Sequence, residues 1–128
     1  MAHPRVFEIV SVASLLSMML CSGIVNGATY TVGDDKGWSF NVESWTNGKK
    51  FLPGDVLIFN YDPTIHNVVS VDQVSYDTCT VGSNFRVFES GHDEVTLPNT
   101  RGWSYFIGNK TLGDCNNKMK IQVSTFSP

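Results

Sequence analysis

The chain has few cysteines and none of the short motifs that mark the common classes of enzyme. Its 128 residues include three cysteines and three histidines, with no internal repeat and no low-complexity tract. The Gly-x-Ser-x-Gly motif of serine hydrolases, the His-Glu-x-x-His motif of zinc proteases and the Gly-x-x-x-x-Gly-Lys phosphate loop are all missing. We therefore predict that the protein is not an enzyme. A small hydrolase without a recognisable motif is the alternative.

Basic residues are also scarce. Nine Lys and Arg residues stand against twelve Asp and Glu residues, a formal net charge of −3, and no basic patch alternates with aromatic residues. Proteins bind nucleic acids mainly through positive charge that faces the phosphates, so we predict no nucleic-acid partner. The sequence ends at Ser127 and Pro128 without a hydrophobic tail, and we expect no lipid anchor at that end.

The longest apolar run lies near the N-terminus, over residues 9–20. His3 and Arg5 precede it, and small or short residues follow it up to Gly27. This pattern is typical of a secretory signal peptide. A membrane anchor is the alternative, but a bilayer-spanning helix needs about 20 apolar residues. We predict a signal peptide over residues 1–27 and one secreted domain over residues 28–128.

Removal of the signal peptide changes the cysteine count. Cys21 would leave with it, and Cys79 and Cys115 would remain. Two cysteines in a secreted chain most simply form one disulfide bond. Two free thiols are the alternative.

Short apolar or alternating runs recur between turn residues along the predicted domain. We predict strands, in chain order, over residues 28–32, 56–61, 67–71, 85–88, 94–97, 103–107 and 118–124. A short helix is predicted within residues 72–79, with Asp72 as its N-cap. Many short strands separated by turns indicate an all-β Greek-key sandwich or barrel, here with one or two short helices.

Five sequence blocks occur in an order and at a spacing that are characteristic: ATYTVG at 28–33, GDVLIFNY at 54–61, HNVV at 66–69, YFI at 105–107 and MKI at 119–121. In these blocks the chain resembles the phytocyanins, the plant family of blue-copper cupredoxins. The resemblance covers the whole predicted domain and is greatest to the plantacyanin, or basic blue protein, subgroup. It implies a cupredoxin fold and a disulfide between Cys79 and Cys115. It also implies that His66 is the first histidine ligand of a copper site and Met119 its weak axial ligand.

The departures from the family pattern fall in one short loop. The family's thiolate ligand would follow Tyr-Phe-Ile, where this chain has Gly108, and its second histidine would precede the second cysteine, where this chain has Asp114. The linking residues 109–113 form a loop about one residue longer than the family pattern. Lys118 replaces the glycine that the family commonly has before the methionine.

A blue copper site needs two imidazoles, a thiolate and a weak axial ligand. We therefore predict a degenerate site without a cofactor, in which His66 is a packed histidine and Met119 fills the core. The alternative is weak residual binding of Cu(II) or Zn(II) by His66, Asp114 and Met119, with electron transfer through that altered site.

Other candidate residues have simpler interpretations. Asn109-Lys110-Thr111 is the one glycosylation acceptor motif in the chain, and we predict a glycan on Asn109. His92 lies beside Asp93 and Glu94, and we predict a solvated turn there. Three tryptophans could stack on sugars in a surface groove, but core or edge packing is favoured for them: Trp38, Trp45 and Trp103.

The sequence pattern, together with the resemblance to the phytocyanins, implies a secreted, non-enzymatic protein of the plant apoplast or cell wall. We expect a monomer with a recognition or structural role, without a membrane anchor. Its partner would be an extracellular protein or a cell-wall polysaccharide, which the sequence does not identify further.

Overall fold

The computed structural model describes residues 27–126. The predicted signal peptide therefore lies outside the described residues, apart from Gly27. Seven strands and one short α-helix form the fold, in the order β1 (Thr29–Thr31), β2 (Val56–Asn60), β3 (Val68–Val71), α1 (Gln73–Thr78), β4 (Arg86–Phe88), β5 (His92–Thr96), β6 (Gly102–Ile107) and β7 (Lys120–Thr125). Two 3₁₀ helices, Asp34–Lys36 and Val42–Thr46, lie between β1 and β2.

The strands form two sheets. One has the order β1-β2-β5 and the other has the order β4-β3-β6-β7. Strand β1 is parallel to β2, and the remaining pairs are antiparallel. The prediction of an all-β sandwich is confirmed. Within residues 27–126, no helix is long and apolar enough to cross a membrane.

The main core lies between the sheets because alternate side chains of each strand point to one face. Trp38, Phe59 and Phe106 pack together there, with ring centroids 5.1 Å and 5.2 Å apart. Met119 is fully buried in the same cluster. Each large apolar side chain buried in this way contributes roughly 1.5–3 kcal/mol.

A second apolar cluster covers part of the outer face of the four-stranded sheet. Helix α1 packs there through Tyr76, beside Ile107 and Cys115. Asp72 caps the helix by accepting a hydrogen bond from the Ser75 amide at 2.9 Å. The predicted disulfide is present between Cys79, which follows the helix, and Cys115. It ties α1 to the loop that joins β6 and β7.

Two strand starts lie two residues from their predicted positions, and the remaining strand ends lie within one residue of theirs. Strand β5 begins at His92 because this residue pairs with Asn60 of β2, so the predicted turn at His92 is wrong. The strand predicted over residues 94–97 thus begins earlier and ends at Thr96. Strand β7 begins at Lys120 rather than at Lys118, because Lys118 adopts a left-handed backbone conformation with φ of 68°.

Candidate functional site

The loop before β3 and the loop between β6 and β7 meet at one end of the sandwich. Asp62 shapes the first loop by accepting hydrogen bonds from the hydroxyl and the amide of Thr64, at 2.6 Å and 3.0 Å. These bonds hold the pKa of Asp62 below its ordinary value. The Asp62 carbonyl also accepts a hydrogen bond from the His66 amide at 3.0 Å. The turn therefore fixes the position from which His66 projects.

Asn67 joins this loop to the next one. Its side chain donates to Asn109 Oδ1 and accepts from the Asn109 amide, both at 2.9 Å. Its carbonyl accepts a hydrogen bond from Trp38 Nε1 at 2.8 Å. Asn67 is buried, so these bonds satisfy it and hold the start of the second loop beside His66. This role of Asn67 was not predicted from the sequence, although a polar residue at the start of an apolar strand was a signal of it.

His66 and Asp114 form the central polar contact of the site. The distance between His66 Nδ1 and Asp114 Oδ2 is 2.8 Å. The side chain of Asp114 is 1% exposed and that of His66 is 15% exposed. The main chain of Asp114 is also fixed, since its amide donates to the Thr111 carbonyl and its carbonyl accepts from the Met119 amide. The imidazole nitrogen that faces the second loop is thus bound to a buried carboxylate.

Gly108 and Met119 lie in contact beside this pair. The Gly108 amide donates to the Met119 carbonyl at 2.9 Å. A β-carbon built on Gly108 would lie 2.5 Å from Met119 Sδ and 3.0 Å from its Cγ. The thioether therefore fills the space into which any side chain at position 108 would project.

Lys118 occupies a position whose backbone favours glycine. Its φ of 68° lies in the left-handed region, which residues with a β-carbon adopt at a cost of roughly 1–2 kcal/mol. Its amide donates to the Cys115 carbonyl at 3.0 Å, which closes the turn before Met119. The unusual backbone explains why a glycine would fit at this position.

Exposed apolar side chains surround the polar pair. Phe40 and Ile65 are each 48% exposed, and Leu112 is fully exposed. The ring of Phe40 meets that of His66 edge to face, with centroids 5.7 Å apart. We call Phe40, Ile65 and Leu112 the apolar rim.

Asn109 lies next to the rim in an exposed position. Lys110 and Thr111, the two residues that complete its acceptor motif, hold the second loop against the first. Lys110 Nζ donates to the Pro63 carbonyl at 2.7 Å, and the Thr111 hydroxyl donates to the Ile65 carbonyl. A glycan on Asn109, which stays a prediction, would stand at the edge of the site.

Of the remaining sequence candidates, Trp38 reaches the site through its hydrogen bond to the Asn67 carbonyl, and the others lie apart from it. His92 is on β5, where its Nδ1 lies 2.5 Å from Asn60 Oδ1. Trp38 is buried and Trp45 packs against the main core. Trp103 is 58% exposed and stacks on Tyr105, so it does not pack in the core.

The donor atoms available for a metal are few. Within residues 27–126, no group of three or more His, Cys, Asp or Glu side chains is arranged to hold a metal ion. His66 and Asp114 are in hydrogen-bond contact, and the Met119 thioether packs against Gly108. The structure thus assembles one imidazole, one carboxylate and one thioether at this end of the sandwich.

Comparison with known proteins agrees with this architecture. A family model described as a plastocyanin-like domain matches residues 35–119. The basic blue protein of Cucumis sativus is 48% identical over 97 residues, which cover 76% of this chain and 98% of that protein. The chain belongs to the phytocyanins. The family predicted from the sequence blocks is thereby confirmed.

A further relative and a solved structure support the assignment. Chemocyanin of Lilium longiflorum is 46% identical over 101 residues, which cover 79% of this chain and 78% of that protein. The solved structure of cucumber basic protein, a blue copper protein, superimposes with a TM-score of 0.73 at 46% identity. That match covers 77% of this chain and all of the cucumber chain. The fold is therefore that of the cupredoxin blue copper proteins.

Proposed function

We propose that this phytocyanin no longer supports blue-copper chemistry and serves as a non-enzymatic extracellular recognition protein. The observation that carries the proposal is the contact between Gly108 and Met119. A thioether fills the space in which a side chain at position 108 would lie. The site therefore has neither a thiolate at this position nor room for one in its present packing.

The cysteines strengthen this proposal. A blue copper site depends on a bond between copper and a cysteine thiolate. The described residues contain two cysteines, Cys79 and Cys115, and they are joined in the disulfide. Neither sulfur is free to ligate a metal.

Asp114, at the position of the family's second histidine ligand, also supports the loss of blue-copper chemistry. Asp114 takes the place of an imidazole, and its carboxylate is hydrogen-bonded to His66 Nδ1. This contact joins the two loops at the end of the sandwich. In a copper-bound site, the metal ion would join the same two loops. We infer that the His66–Asp114 pair stabilises the site without a cofactor.

A copper protein with an altered site is the second candidate. His66 Nδ1 and Asp114 Oδ2, 2.8 Å apart, are close enough to bind one metal ion together, and Met119 adds a weak soft ligand. Several relatives carry the name blue copper protein. A site of this kind would bind Cu(II) or Zn(II) weakly and would lack the thiolate that gives the blue colour.

The recognition role is supported by the surface and by the N-terminal sequence. The apolar rim remains exposed around a site that holds no complete ligand set, and exposed apolar groups often mark interaction sites. The N-terminal 27 residues have the pattern of a secretory signal. We place the protein outside the plant cell as a monomer, with a wall polysaccharide or an extracellular protein as its partner.

Copper loading tests the proposal. The secreted, oxidised protein is incubated with excess Cu(II), desalted, and analysed for metal content and visible absorption, with a blue phytocyanin such as cucumber basic protein treated in parallel. We expect no retained copper and no thiolate charge-transfer band. Stoichiometric copper without a blue band would favour the altered site, and a blue band would overturn the proposal.

A further inference from the structure

Two adjoining surface grooves lie at the end of β6 that is remote from the candidate site. Trp103, near the start of β6, is five residues from Gly108, which corresponds to about 17 Å along an extended strand. One groove has a volume of about 350 Å³ and the other of about 230 Å³. Both are lined by Trp103, Ser124 and Phe126. They therefore form one continuous track across the surface.

Aromatic rings form the floor of this track. Trp103 is 58% exposed and Phe126 is 44% exposed. Trp103 stacks on Tyr105 with ring centroids 6.4 Å apart and an angle of 20° between the rings. This stacking fixes the orientation of an indole that remains open to solvent. The negative face of an aromatic ring attracts positively polarised C–H groups, which one face of a sugar ring presents.

Positive charge lies along the same track. Arg101 lines the first groove and Lys49 lines the second, and among residues 27–126 no Asp or Glu side chain lines either groove. Lys50 adds a third cation, with its Nζ 5.7 Å from the centroid of the Phe126 ring. Lys49 is held in place because its ammonium donates to the Trp45 carbonyl at 2.9 Å. On a chain whose net charge is −3, this local excess of cations favours an anionic ligand.

Acidic residues mark where the track ends. A third groove adjoins the second through Thr46, Asn47 and Gln122, but Glu43 and Asp77 line it as well as Lys120. An anionic ligand would be repelled there. The surface suited to an anion thus extends from Arg101 past Trp103 to Lys49, and we call it the aromatic–cationic track.

We propose that the aromatic–cationic track binds an anionic polysaccharide built from uronic acids. A sugar ring lies on the exposed face of Trp103, and carboxylates lie near Arg101 and Lys49. An open track fits a chain that crosses the surface better than it fits a small enclosed ligand. The inference rests on the extracellular recognition role proposed above and supplies the chemical class of its partner.

Binding of the full secreted protein to polygalacturonate in calcium-free buffer tests the inference. We expect saturable binding that weakens as salt is added, because dissolved ions screen the attraction between the cations of the track and the carboxylates of the ligand. Fully methyl-esterified polygalacturonate, which keeps the rings but lacks the charge, should bind at least tenfold more weakly. A single-stranded polynucleotide, which has the charge but different rings, should also bind at least tenfold more weakly than polygalacturonate.

Variants separate the contributions of ring and charge. Trp103→Ala should weaken binding about tenfold and Trp103→Phe less, since phenylalanine keeps a smaller aromatic face. Arg101→Gln with Lys49→Gln should weaken binding and reduce its salt dependence. Lys36→Gln, which removes an exposed cation outside the track, should change nothing, and thermal unfolding of each variant checks its fold.

Failure of this inference can be distinguished from failure of the proposed function. Three results would each contradict binding of an anionic polysaccharide to the track. They are no binding to polygalacturonate, equal binding of the polynucleotide, and an unchanged affinity of a folded Trp103→Ala variant. Copper loading of the same preparation tests the proposed function separately. If the protein takes up no copper and does not bind the polysaccharide, the proposed function stands and the proposed partner is wrong.

Discussion

Asp114 is the residue on which the arrangement of the site most depends. It is a carboxylate with 1% of its side chain exposed, bonded to His66 Nδ1 at 2.8 Å. A buried carboxylate that loses its partner destabilises a fold by several kcal/mol. His66 therefore stabilises the loop between β6 and β7 through Asp114. A metal ion that used either side chain would have to compete with this contact.

Gly108 gives the first prediction at the residue scale. Gly108→Ala should lower the free energy of unfolding by about 1–3 kcal/mol, the usual effect of an extra methyl group in a packed core. The reason is the 2.5 Å separation between the new β-carbon and Met119 Sδ. Backbone strain plays no part, because Gly108 is not among the glycines with positive φ. Urea unfolding at neutral pH measures the change.

Two controls isolate the clash with Met119. Gly82→Ala adds a β-carbon whose nearest neighbour is Ser75 Oγ at 3.6 Å, and it should change stability by less than about 0.5 kcal/mol. In a Met119→Ala background, Gly108→Ala should have little effect, since the obstructing sulfur has gone. If Gly108→Ala is neutral in the unmodified protein, Met119 moves out of that space without cost and does not exclude a side chain at position 108.

At the scale of elements, α1 depends on its two ends. The helix has six residues, fewer than an isolated helix needs to be stable in water. Asp72 caps its start, and the disulfide from Cys79 to Cys115 follows its end. A disulfide that spans 36 residues contributes about 3–4 kcal/mol in the chain-entropy model. The same bond fixes the loop that contains Asp114.

The N-cap of α1 gives a prediction that depends on pH. The Ser75 amide lowers the pKa of Asp72 below its ordinary value of 3.8. An acid with a lowered pKa in the folded state stabilises the fold fully above its ordinary pKa, and this contribution is lost as pH falls through the folded pKa. Asp72→Ala should therefore lower the unfolding temperature at pH 7, and the difference from the unmodified protein should shrink by pH 2.5.

Asp77→Ala is the matched control for the cap. Asp77 is an exposed acid in the same helix, but it lies near the C-terminal end, where negative charge is unfavourable. Its replacement should leave the unfolding temperature unchanged or slightly raised at pH 7. An equal loss of stability for Asp72→Ala at both pH values would show that the charge of the cap has no role.

The elements were largely predictable because hydrophobic pattern determines them. The run at Val56–Asn60 and the disulfide follow from local pattern and cysteine count. Strand ends were less predictable, since they depend on partners distant in sequence. His92 belongs to β5 because it pairs with Asn60 of β2. Strand β7 begins after its predicted start because Lys118 has a left-handed backbone conformation. No local pattern distinguishes the exposed Trp103 from the buried Trp38.

At the scale of the whole molecule, β6 links two surfaces with different chemistry. One end of the strand leads to Gly108 and the apolar rim, and the other begins at Gly102 beside the aromatic–cationic track. The sequence identified Gly108, Asp114 and His66 as the unusual residues of the site. It could not predict that Asp114 binds His66 or that Met119 fills the space over Gly108, because both contacts join residues from separate loops or strands.

The frame of the fold allows one more prediction, which concerns recovery of copper binding. Gly108→Cys with Asp114→His would supply a thiolate and a second imidazole beside His66 and Met119. Met119 must withdraw from the space above residue 108, which a flexible side chain can do more easily than backbone. We expect the double variant to bind one Cu(II) and turn blue. Bound copper should raise its unfolding temperature, because a ligand of the folded state stabilises it.

The controls for the double variant distinguish a deformed frame from a misformed disulfide. Mass spectrometry must first show the Cys79–Cys115 bond intact, since the added cysteine can exchange with it. Each single substitution should remain colourless, because each restores one ligand of the two that are missing. If the double variant is colourless as well, Lys118→Gly is added to relieve the left-handed backbone before Met119. A blue triple variant would show that Lys118 displaces the axial ligand, whereas a colourless one would assign the obstacle to the longer loop over residues 109–113.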